Sequence, residues 1–226
     1  MKKWPTLILA VMWCFLAGCD NGTGGNPDTG ELTNVEAVEQ YLDKQDGTDP
    51  DNPVKLAVKV DADEWWSLFL VIDQADKFVA LDLSRCYNVP LEFSSIAAHR
   101  LIVSIVLPRG ITSIRRYAFY SSQGDTVLRH VDLPAGLKTI GENAFCGCTS
   151  LTEIDLPASL TAIGGSAFTS CPNLSRVICL ATTPPQMPYM AFDNWPDDPV
   201  VIEVPAASVA AYKAAWIYCA HRIRSM

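Results

Sequence analysis

The sequence is poor in histidine and lacks the short motifs that usually accompany catalysis. Its 226 residues include three histidines, and none of them, His99, His130 or His221, shows the spacing of metal ligands. There is no glycine-rich phosphate loop, no nucleophile elbow and no paired-histidine zinc helix. Cys146 and Cys148 form a poor zinc half-site because the chain offers no second half. We therefore expect no catalytic residues, no metal and no cofactor.

Positive charge is also scarce. The chain has 17 Lys and Arg against 25 Asp and Glu, a net charge of -8, and the first 18 residues contain two of the lysines and no acid. Nucleic-acid binding requires a basic surface, and electrostatic docking on an anionic membrane requires the same. We exclude both. At 49% apolar residues, the chain can bury a sizeable core but is short for two ordinary domains.

The N-terminus has the organisation of an export signal. Residues 1–18 combine Lys2 and Lys3 with an apolar run over 7–16 and small residues at the end, and the run is too short to span a bilayer as a mature helix. The sequence Leu-Ala-Gly-Cys at 16–19 resembles the lipobox of bacterial lipoproteins. That resemblance implies acylation of Cys19 and a lipid-anchored, exported protein at the outer membrane or cell surface. An ordinary cleaved signal with a free Cys19 is the alternative.

Residues 19–53 are predicted to be the lipidated cysteine and a flexible tether, since residues 20–30 offer no apolar side chain for packing. Within this stretch, Asn34 could cap a short helix over 34–44 that carries Val35, Val38 and Leu42 on one side.

Residues 54–77 are predicted to form an N-terminal cap. Apolar residues alternate over 54–60, which is typical of a strand. Asp61 or Asp63 can then cap a helix over about 62–76, on which Trp65, Leu68 and Ile72 share a face. This spacing favours core packing for the tryptophan pair Trp65-Trp66 over ligand stacking.

A repeating block dominates the sequence from residue 78 to 205. Each block has the form apolar-x-x-apolar-x-apolar, and the last apolar positions recur at steps of 23 to 26 residues: Leu83, Leu107, Leu133, Leu156, Cys179 and Val204. A period of this size indicates a solenoid of about six coils whose strands stack in parallel. Each second half, such as Leu160, Ile163 and Phe168, is predicted to form the opposite wall, with Gly141 and Gly164 allowing a tight turn or positive φ.

Two copies, over 128–148 and 151–171, follow L-x-x-I-x-L-P-x-x-L-x-x-I-G-x-x-A-F-x-x-C almost residue for residue. This pattern resembles the BspA-type, or treponemal-type, leucine-rich repeat. The resemblance implies an α/β fold: a right-handed leucine-rich-repeat solenoid with a parallel β-sheet, short helical turns, an N-terminal strand–helix cap and a C-terminal capping helix. It also implies noncovalent binding of a protein partner at the cell envelope, either host matrix or another bacterial protein.

Residues 206–226 are predicted to be that capping helix. Tyr212, Trp216, Cys219 and Ile223 fall at helical spacing after a possible cap at Ser208. A basic tail or a helix lying on a membrane is the rival interpretation.

Cys148 and Cys171 occupy equivalent places in adjacent coils, so their Cα atoms should lie within disulfide range, about 5 Å apart. The repeat family commonly fills this column with a small buried cysteine, and we expect unpaired packing rather than a bridge.

Outward-facing strand positions supply the candidate binding surface. Alternation predicts an acidic ribbon with two apolar spots, which would suit a basic protein partner. A solvated face without a partner is the alternative. The candidate residues are Asp82, His130, Asp132, Glu153, Asp155, Arg176, Ile178 and Glu203.

We therefore expect a non-enzymatic cell-envelope lipoprotein that binds a protein partner. A periplasm-facing structural or envelope-assembly lipoprotein without a host ligand is the first alternative. An enzyme or a saccharide-binding module is the second, but the chain offers few candidate aromatic residues for sugar stacking.

Overall fold

The computed structural model describes residues 31–46, 48–90, 92–93, 100–188, 191–192 and 200–226. The predicted signal peptide, Cys19 and the tether residues 19–30 lie outside the described residues. The helices are α1 (Val35–Leu42), α2 (Trp65–Ala75) and α3 (Val209–Ala215), with 3₁₀ turns at Ala62–Glu64, Ala206–Ser208 and Ile217–Arg222. The strands are β1 (Glu31–Leu32), β2 (Val54–Val58), β3 (Val79–Asp82), β4 (Glu92–Phe93), β5 (Ile102–Val106), β6 (Ser113–Ile114), β7 (His130–Asp132), β8 (Thr139–Ile140), β9 (Glu153–Leu156), β10 (Ala162–Ile163), β11 (Arg176–Cys179), β12 (Val201–Val204) and β13 (Ile223–Ser225).

The repeat blocks form parallel rungs, as the period predicts. One ladder has the order β1-β2-β3-β5-β7, and a second has the order β9-β11-β12-β13. Leu156 pairs with Cys179 on the neighbouring rung, and Leu133 directly follows β7. The alternation of each strand buries one file of side chains between the two exposed ones. The molecule is thus an α/β solenoid with its core between two walls.

The two ladders meet at a break that the repeat pattern does not predict. Strands β7 and β9 belong to consecutive coils, but no ladder joins them in this fully described part of the chain. Asp132 and Asp155 would be cross-strand neighbours there, and like charges in such positions repel. Hydroxyls make the link just upstream instead: Thr149 Oγ1 donates to Gly124 O at 2.8 Å, and Ser150 Oγ donates to Thr126 O at 2.9 Å.

The opposite wall is a second parallel sheet with the order β10-β8-β6-β4. Ile114, Ile140 and Ile163 pair in register along it, and all three are buried. The prediction that the second half of each coil faces the core is therefore confirmed.

A column of aromatic rings runs through the interior between the walls. Successive ring centroids lie 4.8 to 6.2 Å apart, and the central phenylalanines stack nearly parallel. The order is Trp65, Phe93, Phe119, Phe145, Phe168, Phe192 and Trp216. Because each coil contributes one ring, the column ties every coil to the next through buried apolar contact.

The predicted tryptophan pair divides between core and surface. Trp65 closes the aromatic column against Phe93, but Trp66 is 71% exposed. Helical geometry explains the difference, because consecutive residues on α2 point about 100° apart.

The N-terminal segment differs from the prediction of a tether reaching residue 53. Asn34 Oδ1 accepts from Ala37 N at 2.7 Å and caps α1, as predicted, and Val38 and Leu42 are buried. In addition, β1 pairs in parallel with β2, with Leu32 opposite Val58. Residues 31–42 are therefore part of the fold, and the apolar side of α1 packs into the core.

The positive φ predicted as one alternative for the two repeat glycines is wrong, and close packing of the backbone explains why glycine is required there. Neither has a positive φ; the left-handed positions near them are Asn143 and Ser166. A Cβ atom on Gly164 would lie 2.4 Å from Glu142 N, and one on Gly141 would lie 2.5 Å from Arg116 N. The backbone of the preceding coil therefore passes too close for any side chain.

The C-terminal cap is not one helix. Helix α3 ends at Ala215 because Trp216 leaves the helical region with φ −107° and ψ 56°. A 3₁₀ turn follows, and the chain then adds β13 as a last parallel rung beside β12. Ser208 does not cap α3; its Oγ donates to Thr182 O at 2.8 Å. The buried positions Tyr212, Trp216, Cys219 and Ile223 are nevertheless those that the spacing predicts.

Candidate functional site

Within each ladder, the strand register aligns the predicted surface residues in two parallel files, and the strands β7 and β9 bring the two ladders next to each other. We call these files the outer ribbon. The first contains Lys55, Ala80, Ser104, His130, Glu153, Arg176 and Val201. The second contains Ala57, Asp82, Val106, Asp132, Asp155, Ile178, Glu203 and Arg224.

All eight candidate residues lie on the outer ribbon and are accessible. His130, Asp132, Glu153, Asp155 and Arg176 are exposed, while the other three are half-buried. The files alternate with a buried one that includes Val131, Ile154 and Val177, so their outward direction is fixed by core packing.

Sequence reasoning did not assign three members to the ribbon. Lys55 and Ala57 were expected in a separate cap, but β2 is a rung of the same ladder. Arg224 was expected in a helix, but it lies on β13, in backbone register with Glu203 on β12. The alternation over 54–60 was the signal that could have extended the ribbon at its N-terminal end.

Arg176 neutralises part of the predicted acidity. Its Nη2 donates to Glu203 Oε2 at 2.7 Å, and its Nη1 lies 3.9 Å from Glu153 Oε2. The hydrogen bond to Glu203, together with the charge of that carboxylate, raises the pKa of Arg176. Since the pair is solvent-exposed, its contribution to stability is small, and its effect is mainly to hold Arg176 over the sheet.

The acidic character is therefore concentrated where the two ladders meet. Asp132, Glu153 and Asp155 lie on the adjoining strands β7 and β9. His130 Nε2 lies 2.8 Å from Asp132 Oδ1 and partly occupies that carboxylate. Asp82, farther along, accepts from Ser84 N at 2.8 Å. The half-buried Val106 and Ile178 flank this acidic centre.

The cysteine column is unbridged. None of the six cysteines among the described residues is joined to another by a disulfide. Cys148 Sγ donates to Phe119 O at 3.2 Å and Cys171 Sγ to Phe145 O at 3.1 Å, so each thiol binds a carbonyl of the preceding coil. Burial raises the pKa of Cys148 well above its usual value. The prediction of unpaired packing is confirmed.

No group of three or more His, Cys, Asp or Glu side chains could hold a metal ion anywhere in the described ranges. Across the same ranges, no helix has both the length and the apolar character needed to cross a membrane. What the ribbon offers chemically is charge and shape on a fixed scaffold.

A solenoid of parallel rungs with one leucine or isoleucine block per coil defines the leucine-rich-repeat class. Residues 94–196 match the model of the BspA type leucine rich repeat region in six copies. This part of the chain is therefore similar to BspA-type leucine-rich repeats, as its repeat pattern indicates. Leucine-rich repeats are typically non-enzymatic scaffolds for protein–protein interaction. The structure extends the ladder beyond the matched segment, with β1 to β3 before it and β12 and β13 after it.

The chain is also similar to a leucine-rich repeat protein of known crystal structure from T. pallidum (TpLRR). The two are 27% identical, with a TM-score of 0.44, and the match covers 59% of this chain and 60% of that one. No curated protein matches the chain.

Proposed function

We propose that this protein is an exported, lipid-anchored envelope protein that binds a protein partner through the outer ribbon. The observation that supports this most strongly is the ribbon itself: eight candidate side chains from five strands stand on one outward face, in register within each of the two ladders. Because the ladder already fixes these side chains, binding requires no ordering of loops. A standard interface of about 800 Å² per partner is within the reach of six coils.

The charge of the ribbon suggests the chemistry of the partner. Its centre is acidic at Asp132, Glu153 and Asp155, and Val106 and Ile178 lie beside that centre. A partner with basic side chains around a small apolar contact would fit it, since complementary charge favours encounter and fixes the register of binding. Host matrix proteins or proteins of the bacterial surface are the candidate classes.

We first predict charge dependence. Reversing Asp132→Lys together with Asp155→Lys should leave the fold intact, because both side chains are exposed. The double reversal should weaken binding of the partner at least about tenfold, since it replaces two attractive contacts by two repulsive ones. The measurement is the affinity for the protein captured by crosslinking in intact cells. The double variant Asp63→Lys with Glu142→Lys is the matched control, because it makes the same charge change away from the ribbon. Equal affinity of both variants would mean that the ribbon is only solvated surface.

We next predict that Cys19 carries the lipid anchor. Cells expressing the full chain and fed a fatty acid that can be tagged should label the protein, and Cys19→Ser should abolish the label. An unlabelled wild-type protein would favour an ordinary cleaved signal.

Protease treatment of intact cells separates the proposal from its main alternative. A surface protein should be cleaved at once. If cleavage requires an opened envelope, the protein faces the periplasm. A structural or envelope-assembly role then replaces partner binding at the cell surface.

A further inference from the structure

The two ends of the solenoid have opposite charge. At the N-terminal end, α1 turns Val38 and Leu42 towards the core and leaves Glu36, Glu39 and Asp43 exposed. At the C-terminal end, residues 205–226 contain no Asp or Glu at all. The exposed basic side chains there are Lys213, His221 and Arg224.

Among the described residues, neither Lys213 nor Arg224 forms an ion pair with a carboxylate. Arg224 Nη1 donates to His221 O at 2.6 Å and to Ile223 O at 3.1 Å, and these carbonyls orient the guanidinium without cancelling its charge. Along α1, Glu36 accepts from a neutral amide, Gln40 Nε2, at 3.2 Å, and the exposed Lys44 that follows the helix offsets one of the three acidic charges.

Both ends also present strand edges and apolar side chains. Among the described strands, β1 pairs only with β2, and β13 pairs only with β12. Beside β13, Ile217 is 61% and Tyr218 64% exposed, while Tyr41 on α1 is 36% exposed. Apolar side chains within a charged rim are the usual composition of a protein–protein interface.

We propose that copies of this protein associate head to tail, with the acidic N-terminal end of one molecule against the basic C-terminal end of the next. All rungs run in one direction, so β13 of one copy beside β1 of another would continue the parallel order. Such strands are short, and the attraction therefore comes mainly from the charges and from the apolar side chains. A contact of this kind is heterologous, so it builds open chains of molecules rather than closed dimers.

A second copy explains the observations better than an anionic membrane does. The basic end alone would suit either partner, but only another copy of the chain also accounts for the acidic end. This inference is independent of the proposed function, because the outer ribbon stays exposed along the side of such a chain of molecules.

Sedimentation velocity of the full chain in non-ionic detergent tests the proposal. We expect species larger than a monomer whose amount grows with protein concentration. Their dissociation constant should rise at least about tenfold between 0.05 and 0.5 M salt, because salt screens exposed charges. Glu39→Lys with Asp43→Lys, or Lys213→Glu with Arg224→Glu, should each abolish association. Arg109→Glu with Lys138→Glu, exposed but away from the ends, is the control and should not.

Mixing the two end variants distinguishes a contact between ends from damage to the fold. The first variant has two basic ends and the second has two acidic ends, so the mixture should associate again although neither variant does alone. A wild-type protein that stays monomeric at all concentrations would overturn the proposal. Association that persists in both end variants would also overturn the proposal. A mixture of the two variants that stays monomeric would do the same. Binding of anionic vesicles that Lys213→Glu with Arg224→Glu abolishes, without self-association, would assign the basic end to a membrane instead.

Discussion

Glycine at positions 141 and 164 shows how stacking acts on a single residue. Each coil must lie about one strand spacing from the next, and at these two points the preceding backbone occupies the space of a side chain. The sequence pattern indicated that glycine was needed but could not say why. A glycine required for a turn and a glycine required for close backbone packing look alike in a sequence, and only the three-dimensional structure distinguishes them.

We predict that Gly164→Ala lowers the free energy of unfolding by about 2–4 kcal/mol, because its Cβ would overlap the backbone at Glu142. Gly136→Ala is the matched control, since a Cβ there meets nothing within 4 Å. It should be neutral or stabilising by up to about 1 kcal/mol. Urea unfolding followed by circular dichroism measures both. Similar losses in the two variants would contradict the stacking explanation.

At the scale of the element, alternation and period predicted the rungs from β3 to β12 with their register. Side chains repeated every 23 to 26 residues leave little freedom, because slipping by one residue would turn the apolar file outward. The elements at the ends were less predictable. Residues 31–53 lack the repeat, and the last rung, β13, is three residues long. Its sequence Ile-Arg-Ser carries too little pattern to separate a strand from the end of a helix.

Tyr212 on helix α3 makes the stability of the C-terminal cap depend on pH. Tyr212 is buried, its hydroxyl donates to Ala181 O at 2.7 Å, and burial raises its pKa far above the ordinary value of about 10. Burial also raises the pKa of the neighbouring Cys179. For groups whose folded pKa is raised, the stability is fully present below the unfolded pKa and is lost as pH rises above it.

We therefore predict that the urea midpoint is flat from about pH 7 to 8 and falls above about pH 9, as the unfolded cysteines and then the unfolded tyrosine ionise. Tyr212→Phe should cost about 1–3 kcal/mol at pH 7, because it leaves the buried Ala181 carbonyl without its donor. It should also lose less further stability between pH 10 and 11 than the wild type. If both proteins respond identically to alkali, Tyr212 is not the group responsible.

At the scale of the molecule, one rigid scaffold carries two kinds of surface. The side of the solenoid carries the outer ribbon, and its ends carry opposite charge. The ribbon was predictable, since it follows from the register. The concentration of acid at the junction of β7 and β9 was not, because it depends on Arg176 forming its hydrogen bond with Glu203 on the far side of β11. No period in the sequence encodes that contact.

Position-resolved photo-crosslinking in intact cells tests the claim that the ribbon is the binding surface. A photoreactive residue would replace Ile178 beside the acidic centre of the ribbon, or Glu142 on the exposed opposite side. The account predicts one crosslinked protein partner from position 178 that disappears with Asp132→Lys and Asp155→Lys, and none of it from position 142. The same partner captured equally from both positions, or only from position 142, would contradict it.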